Sequence, residues 1–144
     1  MSSCYATGRV TGNDSVGGLV GKNSDTAGNS YATGRVTGNY NVGGLAGRND
    51  NLGSVSDSYA TGGVTGSSHV GGLIGRNQGT ESNSFWDKET SGQGSSDGGI
   101  GKTTEEMQDI TTFSGAGWDI VLIGDYVDET WYIDDGNDYP RLGW

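Results

Sequence analysis

The feature that most constrains this chain is a glycine-studded block that recurs at near-constant spacing. Cys4-Tyr5-Ala6-Thr7-Gly8-Arg9-Val10-Thr11-Gly12 returns as Ser30-Tyr31-Ala32-Thr33-Gly34-Arg35-Val36-Thr37-Gly38 and again as Ser58-Tyr59-Ala60-Thr61-Gly62-Gly63-Val64-Thr65-Gly66. Each copy is followed by a second block: Val16-Gly17-Gly18-Leu19-Val20-Gly21-Lys22-Asn23, Val42-Gly43-Gly44-Leu45-Ala46-Gly47-Arg48-Asn49 and Val70-Gly71-Gly72-Leu73-Ile74-Gly75-Arg76-Asn77. Tyr5, Tyr31, Tyr59 and Phe85 are successively 26, 28 and 26 residues apart, and the two extra residues fall in the connection 51–57. Repetition at this period marks an array in which each unit buries its apolar face only by stacking on its neighbours.

The side chains within a block name the element. Ser30, Ala32, Gly34 and Val36 alternate with Tyr31, Thr33, Arg35 and Thr37. That is the period of two of a strand, with one small, apolar-leaning face and one polar face. Val42 and Leu45 both point inward only if the chain bends at Gly43-Gly44, and two or three glycines per block disfavour helix. Coils of 26 to 28 residues, stacked about 4.8 Å apart, predict an all-β fold: a β-solenoid of three to four coils with a thin cross-section. Stacking places Asn23, Asn49 and Asn77 in a prospective amide ladder and Cys4 in the slot of Ser30, Ser58 and Ser84, where a small buried side chain is expected.

The Gly-Leu-x-Gly cores Gly18-Leu19-Val20-Gly21, Gly44-Leu45-Ala46-Gly47 and Gly72-Leu73-Ile74-Gly75, with Tyr-Ala-Thr-Gly-x-Val-Thr-Gly before them, resemble the GLUG motif. The tail, with Phe85-Trp86-Asp87, Thr103-Thr104-Glu105-Glu106-Met107, Trp131 and Tyr139-Pro140-Arg141-Leu142, resembles the segment that closes many such arrays. The resemblance implies an extracellular or cell-surface setting in large bacterial surface and secreted proteins, adhesin-like proteins and non-catalytic regions of immunoglobulin A peptidases among them. It implies no agreed biochemical activity.

The chain divides near residue 84. Residues 1–84, the repeats, carry five acids and five bases, so the formal charge of −10 resides in 85–144, the last coil and its cap. All four tryptophans, Trp86, Trp118, Trp131 and Trp144, are there too. Thr103 and Glu106 form a capping box that predicts one short helix over 104–110. Residues 118–123 read as a buried strand, and 130–133 as another. A solenoid end exposes backbone and core, so the tryptophans, Phe113, Ile120 and Leu122 are expected to cover it. Nothing comparable precedes Cys4, so the first coil is expected to be open. The reading is a monomeric segment of a longer array, with end-to-end association as the alternative.

The acidity argues against nucleic acid as a partner. No apolar run approaches a membrane span, and Met1-Ser2-Ser3 does not open a signal peptide. A lone cysteine excludes a disulfide framework. Asp125, Asp128, Asp134 and Asp138, with Glu129, Asp135 and Asn137 nearby, offer calcium hard oxygen ligands on a glycine-containing turn, in the spacing of no known calcium loop. No other cofactor is implied. Gly98-Gly99-Ile100-Gly101-Lys102-Thr103 imitates a phosphate loop but has Ser96 where the motif needs glycine. Asp87 and Glu89 are a conceivable carboxylate pair for a polysaccharide-acting β-helix enzyme. His69, taken as the counterpart of Tyr40 and of Asn13 or Asp14, is a surface residue without catalytic partners. An enzyme is not expected.

Outward columns suit contact with protein or glycan partners at a cell surface. They are the aromatic column Tyr5, Tyr31 and Tyr59, and the basic column Lys22, Arg48 and Arg76. Two threonine ladders, Thr7/Thr33/Thr61 and Thr11/Thr37/Thr65, raise ice binding, although four residues separate them along the strand rather than two. The expected function is a non-catalytic structural or adhesion module, with ligand binding through an outward ladder as the alternative.

Overall fold

The computed structural model describes residues 1–125 and 128–143, and it is a β-solenoid. Trp144 lies outside the described residues. The first coil comprises β1 (Tyr5–Ala6), β2 (Val10–Thr11), β3 (Asp14–Gly17), β4 (Val20–Asn23) and β5 (Thr26–Gly28). The second repeats them as β6 (Tyr31–Ala32), β7 (Val36–Thr37), β8 (Tyr40–Gly43), β9 (Ala46–Asn49) and β10 (Ser54–Ser56). The third does so again as β11 (Tyr59–Ala60), β12 (Val64–Thr65), β13 (Ser68–Gly71), β14 (Ile74–Asn77) and β15 (Thr80–Ser82). Equivalent strands pair in parallel and in register, Tyr5 on Tyr31 on Tyr59 and Val10 on Val36 on Val64.

The double-glycine bends pull two faces of the coil together until backbone meets backbone. A side chain on Gly43 would lie 2.7 Å from the Gly75 nitrogen, and one on Gly47 would lie 2.5 Å from the Val16 nitrogen. The interior therefore divides into two columns. Val16, Val36, Val42 and Val64 fill one, while Ala27, Ala32, Leu45, Ala46, Val55, Ala60, Leu73 and Ile74 fill the other. Val42 and Leu45 both point inward, as the bend requires, but into different columns.

The fourth coil is cut short. After β16 (Phe85–Asp87) and the short helix α1 (Lys88–Ser91), the chain returns as β17 (Ile100–Lys102), pairing Phe85 with Ile100. Trp86 occupies the register position of Ala6, Ala32 and Ala60, and its indole fills the space above Gly72. Residues 95–97 close the exposed edge of β14: the Ser96 hydroxyl accepts from the Leu73 and Ile74 amides, and Ser95 and Ile74 carbonyls accept from the Gly72 and Asp97 amides.

The tail continues through α2 (Thr104–Met107), α3 (Ile110–Ser114), β18 (Ile120–Leu122), β19 (Trp131–Ile133) and β20 (Arg141–Leu142), the last three forming a small mixed sheet. Thr103 caps α2 with the expected box. The cap nevertheless holds three short helices among the described residues, not one, and the strand at 118–123 is half exposed rather than buried. The larger difference is position. Met107, Phe113, Trp118, Trp131, Ile133 and Leu142 pack against Tyr31, Tyr59 and Phe85, so the tail lies along the flank of the coils as a strap. Trp86 and the 95–97 segment lie over the end of the coils.

Candidate functional site

The repeated polar residues are engaged with one another. Asn23 Nδ2 donates to Asn49 Oδ1 and Asn49 Nδ2 to Asn77 Oδ1, both at 2.8 Å, which is the expected amide ladder. Each amide also holds backbone carbonyls, Ser54 from Asn23 and Thr80 from Asn49. A second ladder joins the serines: Ser30 and Ser58 Oγ donate two residues back to the Gly28 and Ser56 carbonyls, while the Ser30 and Ser58 amides donate to Ser58 and Ser84 Oγ. Cys4 sits half-buried at the bottom of this ladder, its thiol donating to the Ser2 carbonyl.

Two backbone columns escaped the sequence reading. Ser15, Asn41 and His69 hold φ near +50°, as do Ser3, Asn29, Asp57 and Asn83. Asn and Asp tolerate this left-handed region best among non-glycine residues, and their recurrence at 29, 57 and 83 was the available signal. The register also corrects the placement of His69: it aligns with Asn41 and Ser15, while Ser68 faces Tyr40. His69 is exposed.

Lys22, Arg48 and Arg76 stack as expected. Asp50 neutralises the first two, at 3.0 Å from Lys22 Nζ and 2.6 Å from Arg48 Nε, and the Lys22 hydrogen bond holds its carboxyl below the usual carboxylate range. Gln78 replaces that aspartate in the third coil, where Arg76 lines a shallow groove with His69, Ser95 and Asp97.

The aromatic column, read as outward from the sequence, is largely covered at Tyr31 and Tyr59. Tyr5, Tyr31 and Tyr59 stack at 5.2 and 5.1 Å, but Tyr31 and Tyr59 are 9% and 1% exposed beneath Trp131 and Tyr139. The apolar surface of the column drives the tail onto it, which is what the sequence pattern alone did not reveal. Tyr59 Oη donates to the Pro140 carbonyl at 2.6 Å, and burial pushes its hydroxyl well above the ordinary tyrosine range. Of the threonine ladders, Thr61 is covered, its carbonyl accepting from Thr90 Oγ1, and Thr11, Thr37 and Thr65 remain outward.

Asp87 is fully buried at the junction of coil, helices and strap. Its Oδ1 accepts from the Glu89 and Thr90 amides at the start of α1, and its Oδ2 accepts from Thr104 Oγ1 and Tyr139 Oη, both at 2.7 Å. Glu89 in turn accepts from the Thr104 amide at 2.6 Å. Asp87 is thus enclosed in a joint between coil, helices and strap, while Glu89 stays at the surface. The phosphate-loop mimic is strand β17, its Gly99 amide held by Glu81.

The calcium candidates are not gathered. Asp138 pairs with Arg141 at 2.6 Å, Asp134 accepts from Asn137 Nδ2, and Asp135 accepts from the Ile110 amide. Asp125 and Asp128 flank residues outside the description. Among the described residues no three acidic, histidine or cysteine side chains converge where a metal ion could sit.

Registered coils, internal polar ladders and a lateral strap define a capped parallel β-solenoid repeat protein. The model of the GLUG motif family matches residues 38–65, the length of one full coil beginning just before the Val42-Gly43-Gly44-Leu45 block. A Gly-rich membrane protein of Evansella cellulosilytica is 41% identical over 63 residues, 44% of this chain and 6% of the relative, so the likeness spans a small part of that protein. No solved structure matches.

Proposed function

We propose that this chain is a non-catalytic structural module of a bacterial surface or secreted protein, an adhesin-like spacer whose work is to extend and present what it is joined to. The observation carrying this reading is that its repeated polar side chains, the Asn and Ser ladders and the Lys22–Asp50–Arg48 group, hold coil to coil. Such an arrangement makes a stiff rod whose length scales with coil number. A surface setting is supported by the GLUG motif and by the relative named as a membrane protein. No helix among the described residues is long and apolar enough to cross a membrane. Protease shaving of intact cells making the parent protein tests the setting: release of fragments carrying this module is expected, and retention inside the cell overturns it.

The rod reading has its own test. Deleting 28 residues, 32–59, rejoins Tyr31 to Ala60 in the same phase. The shortened chain is expected to fold cooperatively as a shorter rod by small-angle scattering; loss of folding would mean that the coils are not interchangeable units.

A further inference from the structure

Among the described residues, the strap leaves an opening over the aromatic column. Tyr31, Tyr59, Thr7, Thr33, Asp138, Tyr139 and Arg141 line a cleft of about 140 Å³ between coils and tail. Three column members meet the strap differently. Phe85 carries no hydroxyl, and Tyr59 donates its own to Pro140. The Tyr31 ring is mostly covered and lines the cleft, and its hydroxyl donates to no described residue. A hydroxyl at the wall of a cleft that donates to no protein group is available to a ligand. Removing it is simple, since Phe85 shows that phenylalanine fits the column.

The other groups at the opening narrow what could complete the Tyr31 hydroxyl. Asp138 Oδ2 accepts from both Arg141 Nε and Nη2, at 3.2 and 2.6 Å, so the rim carries acceptor and donor side by side without net charge. Thr7 and Thr33 add hydroxyls on the coil side, and the tyrosine rings supply apolar walls. An isolated ion would meet the opposite charge of the pair, and an apolar group would leave the hydroxyls unmet. A hydroxyl-bearing ring with an apolar edge meets all of them. The cleft is below the ~300 Å³ of an ordinary small-molecule pocket, which suits one ring.

We propose that this cleft between the aromatic column and the strap binds a single pyranose ring, held by the Tyr31 hydroxyl, the Asp138–Arg141 pair and Thr33. The site stands independently of the spacer reading, since a rod with or without it extends equally. The test uses the full chain and methyl pyranosides of glucose, galactose, mannose and N-acetylglucosamine, followed by amide chemical shifts at tens of millimolar. At least one glycoside is expected to shift the Tyr31, Thr33 and Arg141 amides in a saturable way. Tyr31→Phe should weaken that binding about tenfold with the melting temperature unchanged, and Arg141→Gln should weaken it from the other wall. Absence of shifts with every glycoside, or binding undiminished in Tyr31→Phe, overturns the proposal.

Discussion

At the residue scale, the same amino acid has different consequences in different coils. A Cβ on Gly34 would collide with the Gly8 carbonyl oxygen, and one on Gly62 with the Gly34 carbonyl oxygen, while a Cβ on Gly8 meets nothing within 4 Å. The stacking distance sets this: each glycine lies directly on the backbone of the coil beneath, and the first coil has none beneath it. Gly34→Ala and Gly62→Ala are each expected to destabilise by about 1–3 kcal/mol or more, with Gly8→Ala near neutral, as read by denaturant unfolding. Equal effects at the three positions would contradict the stacking. Inward and outward positions were legible from residue types, because alternation survives in Ser30, Ala32 and Val36. The left-handed positions were not, because Ser15 and His69 carry no shared chemistry.

At the element scale, the hydroxyls of Tyr59 and Tyr139 help fasten the strap to the coils. Burial, and then the hydrogen bond to Asp87, push Tyr139 up to about 12, and burial also raises Tyr31 and Tyr59. Folding thus favours the neutral phenols over their ordinary value of about 10. Their contribution is fully present below pH ~10 and fades as pH rises through about 12. Near-ultraviolet circular dichroism with tyrosinate absorbance should show the aromatic seam loosening across that window. Tyr139→Phe should cost about 1–3 kcal/mol at neutral pH by removing one of the two donors to the buried Asp87 Oδ2, and should soften the alkaline loss. A capping box is a local signal, and α2 was accordingly readable. The strap's route depends on which exposed surface is most apolar once the coils exist. No local pattern in residues 104–143 encodes that, so a cover for the end was the natural expectation and a cover for the flank is the outcome. Helix α1 has a proper cap at Asp87 but only four residues, too short for any periodicity.

At the scale of the whole molecule, the two ends differ. Trp86 and residues 95–97 close one. At the other, Met1 and Ser3 pair with the edge of β5, but β1 to β4 have a single neighbour each, and Val10, Leu19 and Val20 are only partly buried where Val36, Leu45 and Ala46 are fully so. Fusing an extra coil, a copy of residues 31–58, ahead of Tyr5 should bury these side chains and raise the melting temperature by several degrees. It should also suppress any concentration-dependent association seen by light scattering; an unchanged melting temperature would mean the edge is already satisfied.

The strap reaches from Phe85 back to Tyr31 and to Asn29, whose side-chain oxygen accepts from the Trp131 indole. It therefore measures a fixed height of coils, whatever the total number. Coils within its reach must keep an aromatic residue at the Tyr31 position, while coils beyond it answer to no such demand. An array of this kind can lengthen or drift at one end while the other stays frozen, so its age should be written as a gradient of variation that stops where the strap begins.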